Sequence, residues 1–284
     1  MRRFNSFHPF VNLIYFITVL VFSLVFPHPV TLLTALVMTT AYNIKIGGKQ
    51  GAKMSLCLLS VIIFSAVING LTAHYGITVL GTLPDGNRLC LEPIVYGGVS
   101  GAVAVCCINI LSAMSKNISS DKLFALICKF LPKTAMLCEM VLRFVPLYGR
   151  KIKETAVAQK NFKSESSYIK QGTRILSSVM GQALEGAMKS ADSMKGRGYG
   201  LGKRTYHGKC KFRLADCVLL GVIFLFGIII IIGALMGNMY VLYNPYFEIN
   251  ELDIFSILIY GIYALMYAIP LVLDLAEDIK WKRS

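Results

Sequence analysis

The stretch FLFGIIIIIGALMG, residues 224–237, contains no polar side chain and decides the fold class. It lies within a longer run, residues 216–242, that has no lysine or arginine. A helix that crosses the hydrocarbon core of a membrane needs about 20 mostly apolar residues. The stretch is therefore typical of a transmembrane helix.

Five further apolar runs without lysine or arginine lie along the chain: residues 10–26, 30–44, 54–70, 94–115 and 252–273. The run 30–44 is short and the run 10–26 is bounded by Pro27. We therefore expect six spans, or five with one re-entrant segment. The chain of 284 residues is 55% hydrophobic, above the roughly 45–50% of soluble proteins. These features predict an all-α integral membrane protein.

The basic residues lie almost entirely on one predicted side of the membrane. Of the 29 lysines and arginines, only Arg88 falls in a loop that this count of spans puts outside. The positive-inside rule then predicts a multi-pass protein of the cell membrane with both termini in the cytoplasm. It also predicts three parts: transmembrane helices in 1–115, a cytoplasmic domain in 116–213, and transmembrane helices with a cytoplasmic tail in 214–284.

The segment 116–213 carries the whole net charge of the protein. It contains 20 basic and 6 acidic residues, a net charge of +14, which equals that of the full chain. Anionic lipid headgroups attract such a segment by about 1 kcal/mol for each basic residue near the surface. An acidic protein surface is the alternative partner. Nucleic acid is not expected, because no base-stacking or groove-reading motif is present.

Two stretches of this segment have the spacing of amphipathic helices. Apolar residues recur every three to four positions in 133–163 and again in 170–195. Pro146 should kink or interrupt the first helix, since proline lacks an N–H and clashes with the preceding turn. Small residues crowd the second helix, which would let another helix approach closely. The sequence thus predicts a crossing pair of helices.

A glycine-rich stretch, SMKGRGYGLGKRT at 193–205, follows the second helix. It does not have the spacing of a phosphate-binding P-loop, because Arg204 stands where that loop needs serine or threonine. Glycines commonly end helices. Arg197 is therefore expected to project from a helix end, between Gly196 and Gly198, which have no side chains.

Two other classes of protein fit the sequence less well. An enzyme is not indicated, because the four histidines are scattered and no metal-protease or nucleophilic-serine motif occurs. A stand-alone secondary transporter or channel is the remaining alternative. Such proteins usually need ionisable residues within the membrane, and the spans before residue 116 contain none.

Several motifs together resemble the transmembrane T component of energy-coupling factor (ECF) transporters, which are ABC-type importers of vitamins and other micronutrients. HPFVNLIYF at 8–16 is similar to the start of the family's first span, with Asn12 in place of a basic residue. LRFVPL at 142–147 and ADSMKGRGYG at 191–200 are similar to two further family motifs, the second with Gly196 in place of alanine. The matching stretches also include 74–97, 203–216 and 277–281.

The resemblance implies a non-catalytic scaffold with two kinds of protein partner. Two cytoplasmic ATPases would dock onto the ends of coupling helices, through Arg197 flanked by Gly196 and Gly198. ATP and magnesium would bind those ATPases, and this chain would bind no cofactor or metal. A membrane S component would carry the substrate. Arg143 and Pro146 would belong to the coupling-helix structure, and the expected S-component contacts are Met136, Met140, Met180, Met188 and Met194.

One departure from the family concerns its first alanine-arginine-glycine signature. The sequence AVAQKNFK at 156–163 has Phe162 where arginine is expected. Lys160 or Lys163 could replace that arginine, but a lysine cannot form the same forked contact. The resemblance therefore implies two unequal ATPase sites, with Arg197 as the main docking residue. It does not indicate which nutrient is transported.

Overall fold

A computed structural model describes residues 4, 7–73, 76, 78–82, 88–119, 122–123, 126, 132–161, 168–202, 212–237, 239, 241–243, 248–249 and 253–283. Within these residues the chain forms seven helices. They are α1 (Pro9–Val25), α2 (Pro29–Thr72), α3 (Leu91–Asn117), α4 (Pro132–Asn161), α5 (Tyr168–Gly196), α6 (Leu214–Leu235) and α7 (Ile254–Arg283).

The chain divides into two compact units. The first, which we call the bundle unit, comprises Met1–Ser119 and Lys211–Ser284 and contains α1–α3, α6 and α7. The second, the basic unit, comprises Ser120–Cys210 and contains α4 and α5. Their boundaries lie close to the ends of the basic segment 116–213.

Helix α2 folds back on itself at Gly48. The backbone of Gly48 has φ 55° and ψ −135°, which is not helical and which residues with a side chain rarely adopt. Beyond the bend, Gly51 lies directly against the carbonyl oxygen of Asn43. In a straight helix these two residues would be about 12 Å apart. The helix therefore consists of two arms, each close to the length of a membrane span.

Helix α3 packs along both arms of α2. Its first half lies against the second arm through small residues: a Cβ added at Gly97 would lie 2.7 Å from the carbonyl oxygen of Ser65. Its second half lies against the first arm, where Asn43 Nδ2 donates to Asn109 Oδ1 at 2.9 Å. The second arm runs antiparallel to α3, because Met54 contacts Ser112 and Gly70 lies against Ile94. With Gly51 beside Asn43 across the bend, the two arms run in opposite directions. Small residues and interhelical amide bonds are typical of helix packing within membranes.

Buried carboxylates hold several helix ends together at one end of the bundle unit, which we call the charged end. Asp216, in the first turn of α6, accepts hydrogen bonds from the backbone N–H of His8 at 2.9 Å and of Arg213 at 2.8 Å. Asp274 of α7 accepts one from the N–H of Phe4. Lys45, at the end of the first arm of α2, pairs with Asp278 at 2.9 Å.

Lys116 fixes the orientation of two buried amides near this end. Its ammonium group donates a hydrogen bond to Asn43 Oδ1 at 3.0 Å. Because an ammonium group can only donate, the Asn43 atom that faces Lys116 must be the amide oxygen. The nitrogen of Asn43 must then donate to Asn109. The amide pair therefore connects the first arm of α2 to the last turns of α3.

Aromatic and histidine side chains connect the opposite end of the bundle unit. Tyr243 donates to the carbonyl oxygen of Pro27 at 2.6 Å. The ring of His28 stacks on Tyr260, with centroids 4.8 Å apart. Two short antiparallel hairpins also occur in the bundle unit, β1 (Val79–Thr82) with β2 (Arg88–Cys90), and β3 (Val241–Leu242) with β4 (Glu248–Ile249). The predicted all-α class omitted these strands, which lie in the connections between helices.

A proline within α7 is compensated by a tyrosine from α1. Pro270 has no backbone N–H, so the carbonyl oxygen of Met266 loses its usual helical partner. The hydroxyl group of Tyr15 donates to that oxygen at 3.1 Å, within the buried interior. Helix α7 therefore continues through Pro270 and reaches Arg283, well beyond the predicted span 252–273.

Four helices, α2, α3, α6 and α7, are long and apolar enough to cross a membrane, and α1 is a shorter apolar helix. This agrees with the predicted class of a multi-pass membrane protein. The predicted run 216–242 was too long, because α6 ends at Leu235 before Gly237, whose φ is 82°. The number of spans stays a prediction.

Candidate functional site

The two helices of the basic unit cross in opposite directions. Tyr148 of α4 donates its hydroxyl group to the carbonyl oxygen of Ala183 in α5 at 3.4 Å. A Cβ added at Gly186 would lie 3.2 Å from the same hydroxyl group, so a side chain there would require that hydroxyl group to shift slightly. At Gly181 an added Cβ would meet nothing within 4 Å, so that position has no close helix contact. Val179, one turn before Ala183 in α5, is buried.

Pro146 does not interrupt α4, and the kink that the sequence analysis also allowed stays a prediction. The helix continues from Pro132 to Asn161 with Pro146 inside it. The missing hydrogen bond concerns the carbonyl group of Leu142, one turn earlier. Leu142 is 40% exposed.

The end of α5 is a Schellman cap, which defines the position of Arg197. Gly198 has φ 78°, the left-handed conformation that favours glycine. The N–H of Tyr199 donates to the carbonyl oxygen of Met194 at 3.0 Å, and that of Gly198 donates to Lys195 at 2.9 Å. These bonds satisfy carbonyl groups that the helix end leaves open. Arg197 is the cap residue, and its positive charge suits the negative end of the helix dipole.

An open cleft of about 690 Å³ lies between α4 and α5. We call it the arginine cleft. Its apolar side chains are Met140, Phe144, Pro146, Leu147 and Met194, and its polar side chains are Arg143, Arg150, Lys189, Ser190, Ser193 and Arg197. Its volume is within the usual range for ligand pockets. The motif segments 142–147 and 191–200, which are far apart in the sequence, therefore contribute to one cleft.

The arginine cleft has an uncompensated positive charge. Lys189 is neutralised by Glu185, whose carboxylate lies 2.7 Å from the ammonium group. This hydrogen bond lowers the pKa of Glu185. In the part of the chain that the structure describes, no guanidinium group of Arg143, Arg150 or Arg197 forms an ion pair or hydrogen bond. All three are exposed and can receive an acidic group.

The remaining predicted site residues are not all in this cleft. Lys160 lies in the last turn of α4, and its side chain is not described, while Lys163 lies outside the described residues. Of the five predicted methionine contacts, Met140 and Met194 line the cleft. Met180 and Met188 lie on α5 and are 57% and 62% exposed. Met136 is partly buried near the start of α4.

Sequence reasoning missed Arg150 and the two cleft serines. A signal for Arg150 was available, because Arg143 and Arg150 are seven residues apart and so lie on the same face of a helix. On α5, residues three to four positions apart also share a face, and this applies to Ser190, Ser193 and Arg197. The sequence could not show that these two faces meet.

Comparisons with protein-family models and with curated proteins gave no match to this chain. The functional conclusion therefore depends on the motifs and on the geometry of the arginine cleft.

Proposed function

We propose that this protein is the T component of an ECF transporter, which couples two cytoplasmic ATPases to a membrane S component that binds a vitamin or another micronutrient. The chain itself would be non-catalytic and would bind no cofactor. The observation that carries this proposal is the arginine cleft. It brings Arg143 and Pro146 of one resembling motif together with Met194 and Arg197 of another.

The arrangement of the bundle unit supports the proposed orientation. Lys45, Lys116 and Asp278 lie at its charged end, next to the bend of α2 and the last turns of α3. In the sequence, the basic unit begins shortly after Lys116 and ends shortly before Asp216. The positive-inside rule then favours a cytoplasmic location for the charged end, both termini and residues 116–213, with six spans.

In the proposed mechanism, ATP-driven closure of the ATPases moves the docked helix ends. Arg197 would enter a partner groove and meet a carboxylate there. A guanidinium group forms a forked, charge-assisted contact that is stronger and more directional than the contact of an ammonium group. Helices α4 and α5 would transmit this movement to the S component, against a bundle whose helix ends are held by Asp216 and Asp274.

The test is co-purification of the ATPase pair with Arg197→Ala. If a buried carboxylate loses its partner, docking should weaken by about 2–5 kcal/mol, roughly 30-fold or more in affinity. Lys195→Ala is the matched control, because Lys195 is exposed on the same helix end and does not line the cleft. Full ATPase retention in Arg197→Ala would contradict the proposal.

Two further comparisons separate the alternatives. If Lys160→Ala or Lys163→Ala reduces co-purification of the ATPase pair more than Arg197→Ala does, the main docking contact lies at the first signature. Substrate uptake into proteoliposomes that contain this chain alone, without ATP, would instead indicate a stand-alone secondary transporter.

A further inference from the structure

We infer that Arg143 and Arg150 of α4 act together with Arg197 of α5 as one composite site, which receives an acidic and partly apolar segment of a partner protein. This inference rests on the proposed function and deepens it. The ATPase contact is then a cleft with three arginines rather than one arginine at a helix end.

The distribution of arginine within the basic segment is the first argument. Residues 116–213 contain 14 lysines and 6 arginines, and three of the six arginines line this cleft. General attraction to an anionic surface requires only charge, which lysine supplies equally well. A concentration of arginine at one place indicates recognition of carboxylate or phosphate groups by forked hydrogen bonds.

The rest of the lining favours a protein partner. Met140, Phe144, Leu147 and Met194 give the cleft an apolar part, and Ser190 and Ser193 add hydroxyl groups. Aromatic residues, methionine and arginine are the residues enriched at protein–protein interfaces, while lysine is depleted. Thioether side chains also adapt to partners that change position.

Charge complementarity determines the chemistry of the partner segment. The residues that line the cleft include no acidic side chain, and Glu185 already neutralises Lys189. Three guanidinium groups that line one cleft repel, and carboxylate groups placed between them relieve that repulsion. A segment with two or more Asp or Glu residues beside an apolar side chain therefore fits the cleft.

The experiment compares two double variants in the complete transporter complex. Arg143→Gln with Arg150→Gln removes two charges from the cleft. Lys153→Gln with Lys170→Gln removes two charges from exposed positions of α4 and α5 that do not line it. We expect the arginine variant to bind the ATPase pair at least tenfold more weakly, and the lysine variant to change binding less than about threefold. Unchanged thermal unfolding of both variants would exclude misfolding.

A conservative variant adds a second readout. If geometry matters, Arg143→Lys with Arg150→Lys should not restore binding, because an ammonium group cannot form the forked contact. Restored ATPase binding in the Arg→Lys double variant would show that only total charge matters and would overturn the inference. Equal losses of ATPase binding in the Arg→Gln and Lys→Gln double variants would overturn it in the same way.

The remaining outcomes are also decisive. If Arg197→Ala loses the ATPases while the α4 arginine variant keeps them, the composite site is refuted and the proposed function stands. If the α4 variant keeps the ATPases but loses phosphatidylglycerol that native mass spectrometry detects on the wild-type complex, the cleft is a lipid site. That result would also refute the inference.

Discussion

Replacement of Gly198 by alanine should disturb ATPase docking although it removes no contacting side chain. Gly198 has φ 78°. The added Cβ would lie 3.4 Å from Leu201 Cδ1, which is an ordinary contact. The cost is therefore conformational, about 1–2 kcal/mol for an L residue in the left-handed region. The Schellman hydrogen bonds of Gly198 and Tyr199 would open more often by roughly 5- to 30-fold.

Two neighbouring glycines are matched controls with different expected effects. Gly196 is the last helical residue and has nothing within 4 Å, so alanine there should be neutral or slightly stabilising. Gly202 has no positive φ and open space around it, so alanine there should have little effect. Only Gly198→Ala should displace Arg197.

Two measurements test this difference. Hydrogen exchange of the peptide that covers 190–200 should be roughly 5- to 30-fold faster in Gly198→Ala than in Gly196→Ala. Retention of the ATPase pair should fall in the first variant alone. If all three alanine variants exchange and dock alike, the cap does not position Arg197, and the reasoning is refuted.

Two further predictions concern the bundle unit. His28 is 1% exposed, and its Nδ1 accepts the N–H of Val30, so burial lowers its pKa. The unfolded state then binds more protons below about pH 6.5, and thermal stability in detergent should fall as the pH drops below that value. His28→Asn keeps a capping acceptor and should abolish this pH dependence, whereas an unchanged dependence would assign it to another group. Tyr15→Phe should cost about 1–3 kcal/mol, because the buried carbonyl group of Met266 loses its donor. The stability lost through Tyr15→Phe should be smaller in a Pro270→Ala background, because alanine restores the backbone N–H. An equal loss of stability in both backgrounds would contradict this account.

The helices of the bundle unit could be predicted because their apolar runs are long. The run 10–26 corresponds to α1 (Pro9–Val25), and 94–115 lies within α3. The break between the runs 30–44 and 54–70 corresponds to the bend of α2 at Gly48. The glycine cluster after α5 was interpreted correctly as a helix end, because a positive φ at Gly198 is a local property of the chain.

The parts that could not be predicted depend on contacts between distant residues. Helix α7 passes Pro270 because Tyr15 supplies the missing donor, and that contact joins residues 251 positions apart. A turn signal, Pro84-Asp85-Gly86-Asn87, precedes strand β2 in the sequence. The strands β1 and β2 have only four and three residues, which is too short a pattern to distinguish a strand from a loop. The arginine cleft depends on the crossing of α4 and α5, which no single helix pattern specifies.

The difference in burial between the two units bears on how such a protein could transmit movement. In the bundle unit, buried carboxylates and amides hold the helix ends, and removal of one partner leaves a buried polar group that costs about 1–3 kcal/mol. In the described part of the basic unit, Val179 is the one buried residue, although α4 and α5 have 30 and 29 residues. Helix stability in proteins comes mostly from the packing of an apolar face. The contact between α4 and α5 buries little surface, so it contributes little to the stability of these two helices. In the proposed mechanism, the S component and the ATPases cover exposed apolar residues of α4 and α5. A pair of helices whose order depends on its partners, attached to a bundle that is fixed internally, is suited to respond when those partners move.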